Sequence, residues 1–463
     1  MSTKTKVIRT LRLAVLLTIL GIVLLFFLRN RNFDPRFYRF LESKIGQSMA
    51  SVLGWTDPFE LPPLDKPESE FTDEELKVKR DLMKQVVVEM PTHELLLDTG
   101  EIMRGRIVGD NAANITFKEE YGRVGEMAVS IRRSRVKEVV ELNEVPPAIH
   151  YRDVRFQMEF PTFRLYRRPP FTIVTDASFF RVQNSVRLLD RLHSDFMHLF
   201  EPLVTRPERG GSIQVLFFLD EDMYHEYQSR NAPNLENSSG FYTPALDRLV
   251  IFNQRSSGQL KAAKKRLRMQ ERAFLEVADT VEEQKRLELW LQDSERNIAL
   301  YAEQQTELAT RHEGAHQLFF TYGVHSTHHA ENSWLVEGLA VFCEADRIGL
   351  REETRVSLLQ KHRKADSLLP FRELLESRSP RGLFVFGKDT KVNLAYAQSW
   401  SVIHFLLQPK YRDAFFDYVR WLRNPDNVSA VAKESHVDRL ADYLRMTPEQ
   451  FEELWLRYVE RNL

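Results

Sequence analysis

The spacing of apolar residues changes several times along the chain, and each change predicts a different kind of element. Leu13–Leu28 is an uninterrupted apolar run without a charged residue, preceded by Lys4, Lys6, Arg9 and Arg12. Sixteen helical residues span ~24 Å, slightly less than the ~30 Å hydrocarbon core, so flanking arginines would snorkel or the bilayer would thin. Arg29-Asn30-Arg31-Asn32-Phe33 supplies no small residues for signal cleavage, so residues 1–30 read as an uncleaved signal anchor. The expectation is a single-pass membrane protein with its C-terminal part outside the cytoplasm. Phe37, Phe40, Leu41, Ile45, Met49 and Val52 then recur at helical spacing. Pro58, Pro62, Pro63 and Pro67 mark a linker, giving a juxtamembrane segment over 31–85. Within it, Thr72 and Glu75 form a capping box for a short helix toward Met90.

From residue 86 to 145 the period becomes two. Leu95-Leu96-Leu97, Ile102 with Ile107-Val108, Ile115-Thr116-Phe117, Met127–Ile131 and Val136–Val140 predict five short strands. So many strands in so short a stretch predict a small SH3-like or Sm-like β-barrel. Pro146-Pro147 to Pro169-Pro170 reads as a connector. Strands at Phe171–Asp176 and Ile213–Leu219, with more exposed ones at Gly240–Thr243 and Arg248–Phe252, flank a helix over Ser178–Phe200. Gln259–Glu313 contains neither Gly nor Pro and is dense in both charge signs, predicting a long helix or helical hairpin. Helices follow at Arg351–Lys361, Phe371–Glu376, Ala395–Leu407 and Arg412–Arg423, with a further pair before Leu463. The fold class is α+β: anchor, barrel, and a domain over 171–463 with a small sheet, a helical insertion at 258–300 and a helical C-terminal part.

Composition narrows the function classes. The 463 residues carry 65 Lys plus Arg and 66 Asp plus Glu, so no global field draws the chain to nucleic acid. Arg104, Arg106, Arg123, Arg132, Arg133 and Arg135 make the barrel locally basic, but without interleaved aromatics they read as a solvated strand face. Cys343 is the only cysteine, which excludes intrachain disulfides and cysteine-based metal clusters and leaves it as a small core residue.

The chemistry concentrates at His312-Glu313-Gly314-Ala315-His316. On a helix, His312 and His316 project from one face and can share a zinc ion. Leu308, Ala315 and Phe319 fall at helical spacing with them, which would turn the ligand face to the core. Glu313 lies one residue round, where it can reach water at an open metal position. A catalytic zinc wants three protein ligands, and Glu337, within Trp334-Leu335-Val336-Glu337-Gly338-Leu339-Ala340, is the third. Gly323 offers a stop for the first helix and Asn332 or Ser333 a cap for the next. Glu344, seven residues after Glu337, would share its helical face and accept the outer N–H of a ligand histidine. His325, His328 and His329 are alternative third ligands from the intervening loop, otherwise solvent-exposed or lining a cleft. His93-Glu94 lacks a second histidine, since Leu97 occupies that position.

These blocks resemble the gluzincins, zinc peptidases whose third ligand is a glutamate on the helix after H-E-x-x-H. The likeness is closer still to the peptidase-MA-like domains of bacterial proteins, over roughly Phe171 to Leu463, and includes Ala395-Tyr396-Ala397-Gln398-Ser399-Trp400. It implies a thermolysin- or aminopeptidase-like fold, Zn2+ as cofactor, a peptide or protein substrate and Glu313 as general base. It further implies Tyr396 as oxyanion donor, with His404 a weaker alternative, and a sheet edge near Gly240–Phe252 that pairs with substrate backbone. Twenty residues separate His316 from Glu337, slightly more than in the aminopeptidases, and no G-x-M-E-N motif for a free amino terminus is present. Phe319 and Tyr322 occupy the positions where a metzincin needs Gly and His, which excludes that class. The alternative is a non-catalytic metal-binding scaffold, meeting a protein partner through the barrel or the long helices.

Overall fold

The computed structural model describes residues 66–119, 128–146, 148–205, 212–235, 238–276, 280–326, 332–377, 383–384 and 390–463. The chain is α+β, with two five-stranded sheets and a large helical part. It divides into a larger unit, Pro67–His225 with Asn237–Leu463, and a smaller one, Met1–Lys66 with Glu226–Glu236. Among its described residues the smaller unit holds a helix end and the 3-10 turn Pro233–Leu235, whose last carbonyl accepts from Gln228 Nε2 at 2.6 Å. Among the described residues no helix is long and apolar enough to cross a membrane. The Leu13–Leu28 run and the Phe37–Val52 pattern lie outside them.

In the larger unit, α1 (Asp73–Glu89) begins at Thr72 with the reciprocal hydrogen bonds to Glu75 of a capping box. Strands β1 (His93–Leu97), β2 (Ile102–Asp110), β3 (Asn114–Glu119), β4 (Val129–Arg132) and β5 (Val136–Glu141) form an antiparallel sheet in the order β4-β3-β2-β1-β5. Alternate residues turn inward, so Leu95, Leu97, Met103, Ile115, Phe117 and Ile131 make a separate small core. The expected closed barrel is not formed. β4 and β5 remain the two edges, although only the 3-10 turn Arg133–Arg135 separates them, so the sheet must coil strongly. Closure needs an apolar inner face on β5, and its Val139 and Val140 are exposed instead. Of the basic residues here, Arg104, Arg133 and Arg135 pair with Glu144, Asp110 and Asp98.

The stretch read as a connector is structured. It forms α2 (Tyr151–Glu159) and β6 (Arg164–Arg168), the first strand of the second sheet. β7 (Phe171–Thr175), β8 (Ile213–Phe218), β9 (Gly240–Thr243) and β10 (Arg248–Phe252) complete the order β6-β7-β8-β10-β9. β7, β8 and β10 are parallel and carry helices on their faces, so their side chains are buried throughout, as is common for parallel strands. That packing is why β9 and β10 are buried rather than exposed.

Helices α3 (Phe179–Phe200), α4 (Glu221–Asn231), α5 (Gly258–Leu275) and α6 (Val281–Thr321) follow in the chain. α5 and α6 form the expected hairpin. Leu260 and Leu267 are buried, whereas Phe274 and Val281, which continue the same seven-residue spacing, are 50% and 83% exposed, so the four do not form a continuous seam. β9 and β10 of the second sheet, together with α3, pack on the C-terminal part of α6, and α6 in turn meets α7 (Ser333–Phe342). α8 (Glu353–Lys364), α9 (Phe371–Leu375), α10 (Thr390–Leu406), α11 (Arg412–Arg423), α12 (Val428–Lys433), α13 (His436–Tyr443) and α14 (Pro448–Asn462) share one hydrophobic core with α3, α6 and α7.

Candidate metal centre

Two helices bring the chemistry together. α6 runs unbroken for 41 residues from its Thr280 capping box and stops at Tyr322, where Gly323 adopts φ +67°. Its last turns pack closely on α3 and the sheet. A Cβ on Gly314 would lie 2.9 Å from Leu189 Cδ2 and 3.2 Å from Leu192 Cδ2. Ala315, Leu318 and Phe319 fill the same core, but Leu308 is exposed and does not belong to it. α7 approaches α10 just as closely at Gly338, where a Cβ would meet Ile403 and Ser399 at 3.1 Å. These small residues let α6 seat closely against α3, and α7 against α10.

His312, His316 and Glu337 converge into a group that could hold a metal ion, with all ligand atoms within 4.8 Å of one another. The two Nε2 atoms are 3.2 Å apart. Glu337 Oε2 lies 3.4 Å from His312 Nε2 and 3.6 Å from His316 Nε2. His312 Nδ1–H donates to Glu344 Oε1 at 2.7 Å, and Arg355 holds the other oxygen of Glu344. The contact expected of Glu344 is present, but the shared helical face is not: α7 ends at Phe342, and Glu344 reaches back from beyond it. Asn332 stands at the N-cap of α7, yet its side chain donates to Tyr418 instead.

Glu313 points beside this group without joining it. Its Oε2 accepts the backbone N–H of Tyr242 on β9 at 3.0 Å, and Gly240 of the same strand approaches its Cγ. Tyr396, on α10, is buried, packs edge-on against His312 at 6.2 Å and hydrogen-bonds Glu337. His404 does not enter the site. Its Nδ1 meets Tyr458 Oη at 2.7 Å and its Nε2 meets the carbonyl of Gly349 at 3.1 Å. His325 is buried against Phe319 and Phe320 rather than solvent-exposed, and is outside the ligand group. His328 and His329 lie outside the described residues. Arg355 and Tyr242 carried no sequence signal, because one acts through a distant carboxylate and the other through its backbone.

Burial dominates the electrostatics, and partners decide its outcome. Burial opposes charge on His312, but hydrogen bonds to Glu337 and Glu344 overcome it and hold its pKa well above the usual value. Burial would raise Glu337, yet the charge of His316 and hydrogen bonds from both histidines pull it far below the carboxylate range. Burial raises Glu313, opposed by His312 and His316. Burial also raises Tyr396, which keeps its phenol protonated, and lowers His325 to about 3.

These shifts give a signed prediction. His312 is protonated at neutral pH in the metal-free protein, so its favourable contribution is lost as pH rises through its raised pKa. A metal must displace that proton. Uptake should therefore release about one proton and tighten as pH rises toward that raised pKa. Titration calorimetry in buffers of different ionisation enthalpy measures the release directly, and affinity independent of pH would contradict it.

Residues 307–426 match the family DUF1570, described as a protein of unknown function. The DUF1570 segment starts in α6, passes through α11, and contains His312, Glu313, His316, Glu337, Glu344 and Tyr396. No curated relative matches the chain. The first sheet, the second sheet and α5 all lie outside the DUF1570 match.

Proposed function

We propose that this chain is a zinc-dependent peptidase of the gluzincin kind with a peptidase-MA-like domain, anchored to a membrane by its Leu13–Leu28 segment. The observation that carries the reading is the triangle of ligand atoms, with sides of 3.2, 3.4 and 3.6 Å. Tetrahedral zinc with bonds of ~2.0–2.2 Å requires ligand separations of about 3.3–3.5 Å, so two imidazole nitrogens and one carboxylate oxygen fit it. Zinc bound there supplies Lewis acidity toward a carbonyl oxygen and makes water acidic near neutral pH.

The chain's own residues supply the rest. Glu313, raised by burial and steadied by Tyr242 N–H, accepts a proton from attacking water and delivers it to the leaving amine. Tyr396, kept protonated, donates to the developing oxyanion. Glu344 and Arg355 orient His312. β9 is the edge strand of its sheet and packs beside α6, so an extended peptide can add to it as a further strand.

The test combines metal content with turnover of a peptide library read by mass spectrometry. One zinc per chain is expected, together with hydrolysis that a chelator abolishes and zinc restores. Protein that binds no zinc, or hydrolysis indifferent to the chelator, would overturn the reading.

A further inference from the structure

The carboxylate of Asp247 ties three elements together. Asp247 sits in the turn between β9 and β10, with φ 46°. Its Oδ2 accepts from Arg152 Nη2 of α2 at 2.6 Å. Its Oδ1 accepts from Tyr242 Oη of β9 at 3.1 Å and from Thr321 Oγ1, the last residue of α6, at 3.4 Å. Arg152 is 5% exposed and Asp247 15%, so the pair is largely withdrawn from water.

α2 is itself fixed from both sides. Its Tyr151 Oη donates to Glu75 of α1 at 2.9 Å, and its Arg152 carbonyl accepts from Gln214 Nε2 of β8 at 3.0 Å. The carbonyl of Gln214 accepts from Gln317 Nε2, one residue beyond the ligand His316. Glu159 of α2 pairs with both terminal nitrogens of Arg248 on β10 at 3.0 and 2.9 Å.

A buried ion pair adds little net stability over apolar packing, but its geometry fixes one arrangement over others. Here the arrangement is that of the edge strand. Tyr242 is held by its hydroxyl to Asp247, and the same residue's N–H holds Glu313. The path from α2 to the carboxylate of Glu313 thus passes through two side chains and one peptide bond.

We propose that Arg152 and Asp247 are positioning residues: their ion pair sets β9 so that Tyr242 N–H aims Glu313, which couples α1 and α2 to the reaction centre. The inference rests on the peptidase reading for the role of Glu313 alone; the coupling itself is independent of it.

The test uses the full chain. Arg152→Leu by itself strands a buried carboxylate and so destabilises the fold. Arg152→Leu with Asp247→Asn leaves no unpaired charge and keeps a side chain suited to positive φ. In this double variant, hydrogen exchange at the Tyr242 amide should rise at least ~10-fold while amides of β10 keep their protection, and Arg152→Lys should restore slow exchange. In the same preparations kcat should fall ~10–100-fold, since a displacement of about 1 Å at a catalytic group costs on that order. Tyr242 exchange as slow as in the unaltered protein, in a double variant of unchanged Tm, would overturn the proposal. Absence of hydrolysis in the unaltered protein would instead overturn the peptidase reading, and the exchange measurement would still decide the coupling.

Discussion

Glu313→Gln is expected to keep the metal and the fold and to lose peptide hydrolysis by ~10²–10⁴-fold. The glutamine amide is nearly isosteric, and its oxygen still accepts Tyr242 N–H, so the side chain stays beside the ligand group. It cannot take a proton. Burial raises the Glu313 carboxyl, which moves its proton affinity toward that needed for shuttling near neutral pH. The loss should therefore fall on kcat at every pH, with KM little altered. Steady-state kinetics with zinc analysis on one preparation checks both halves. Unchanged turnover in Glu313→Gln would sink the mechanism.

Glu337→Ala should act on a different quantity. It removes one of three ligand atoms and leaves His312 without one of the two carboxylates that face it. Zinc should be lost on dialysis, and with it the stabilisation a bound ion gives, about 2.7–4.1 kcal/mol at 100–1,000 times Kd. The melting temperature should then become insensitive to added zinc. Glu344→Ala should fall between the two, with metal affinity weakened ~10–100-fold, because it orients His312 without being a ligand. Full zinc stoichiometry in Glu337→Ala would remove Glu337 from the ligand set.

Much of this site was readable from spacing alone. Four-residue separation on a helix places His312 and His316 together whatever the rest of the chain does, and the apolar block around Glu337 could only be a buried helix. β1 to β5 and β9 to β10 announced themselves by period and turn residues. What remained hidden depends on tertiary contact. α2 and β6 were masked by flanking prolines and by the arginines Arg152, Arg155, Arg164, Arg167 and Arg168, of which the side chains of Arg152 and Arg167 are buried against Asp247 and Asp153. Glu344 was placed correctly against His312 for an incorrect reason, since the helix ends before it. Barrel closure failed because strand number and period do not specify whether the last strand has an apolar face to bury.

The length of α6 gives the molecule a mechanical pointer. From Val281 to His312 a single helix runs about 45 Å at 1.5 Å per residue. A tilt of roughly 5° about the histidine end, too small to notice among the ligands, sweeps the Val281 end through about 4 Å. A probe placed at that exposed end therefore magnifies what happens at the buried one.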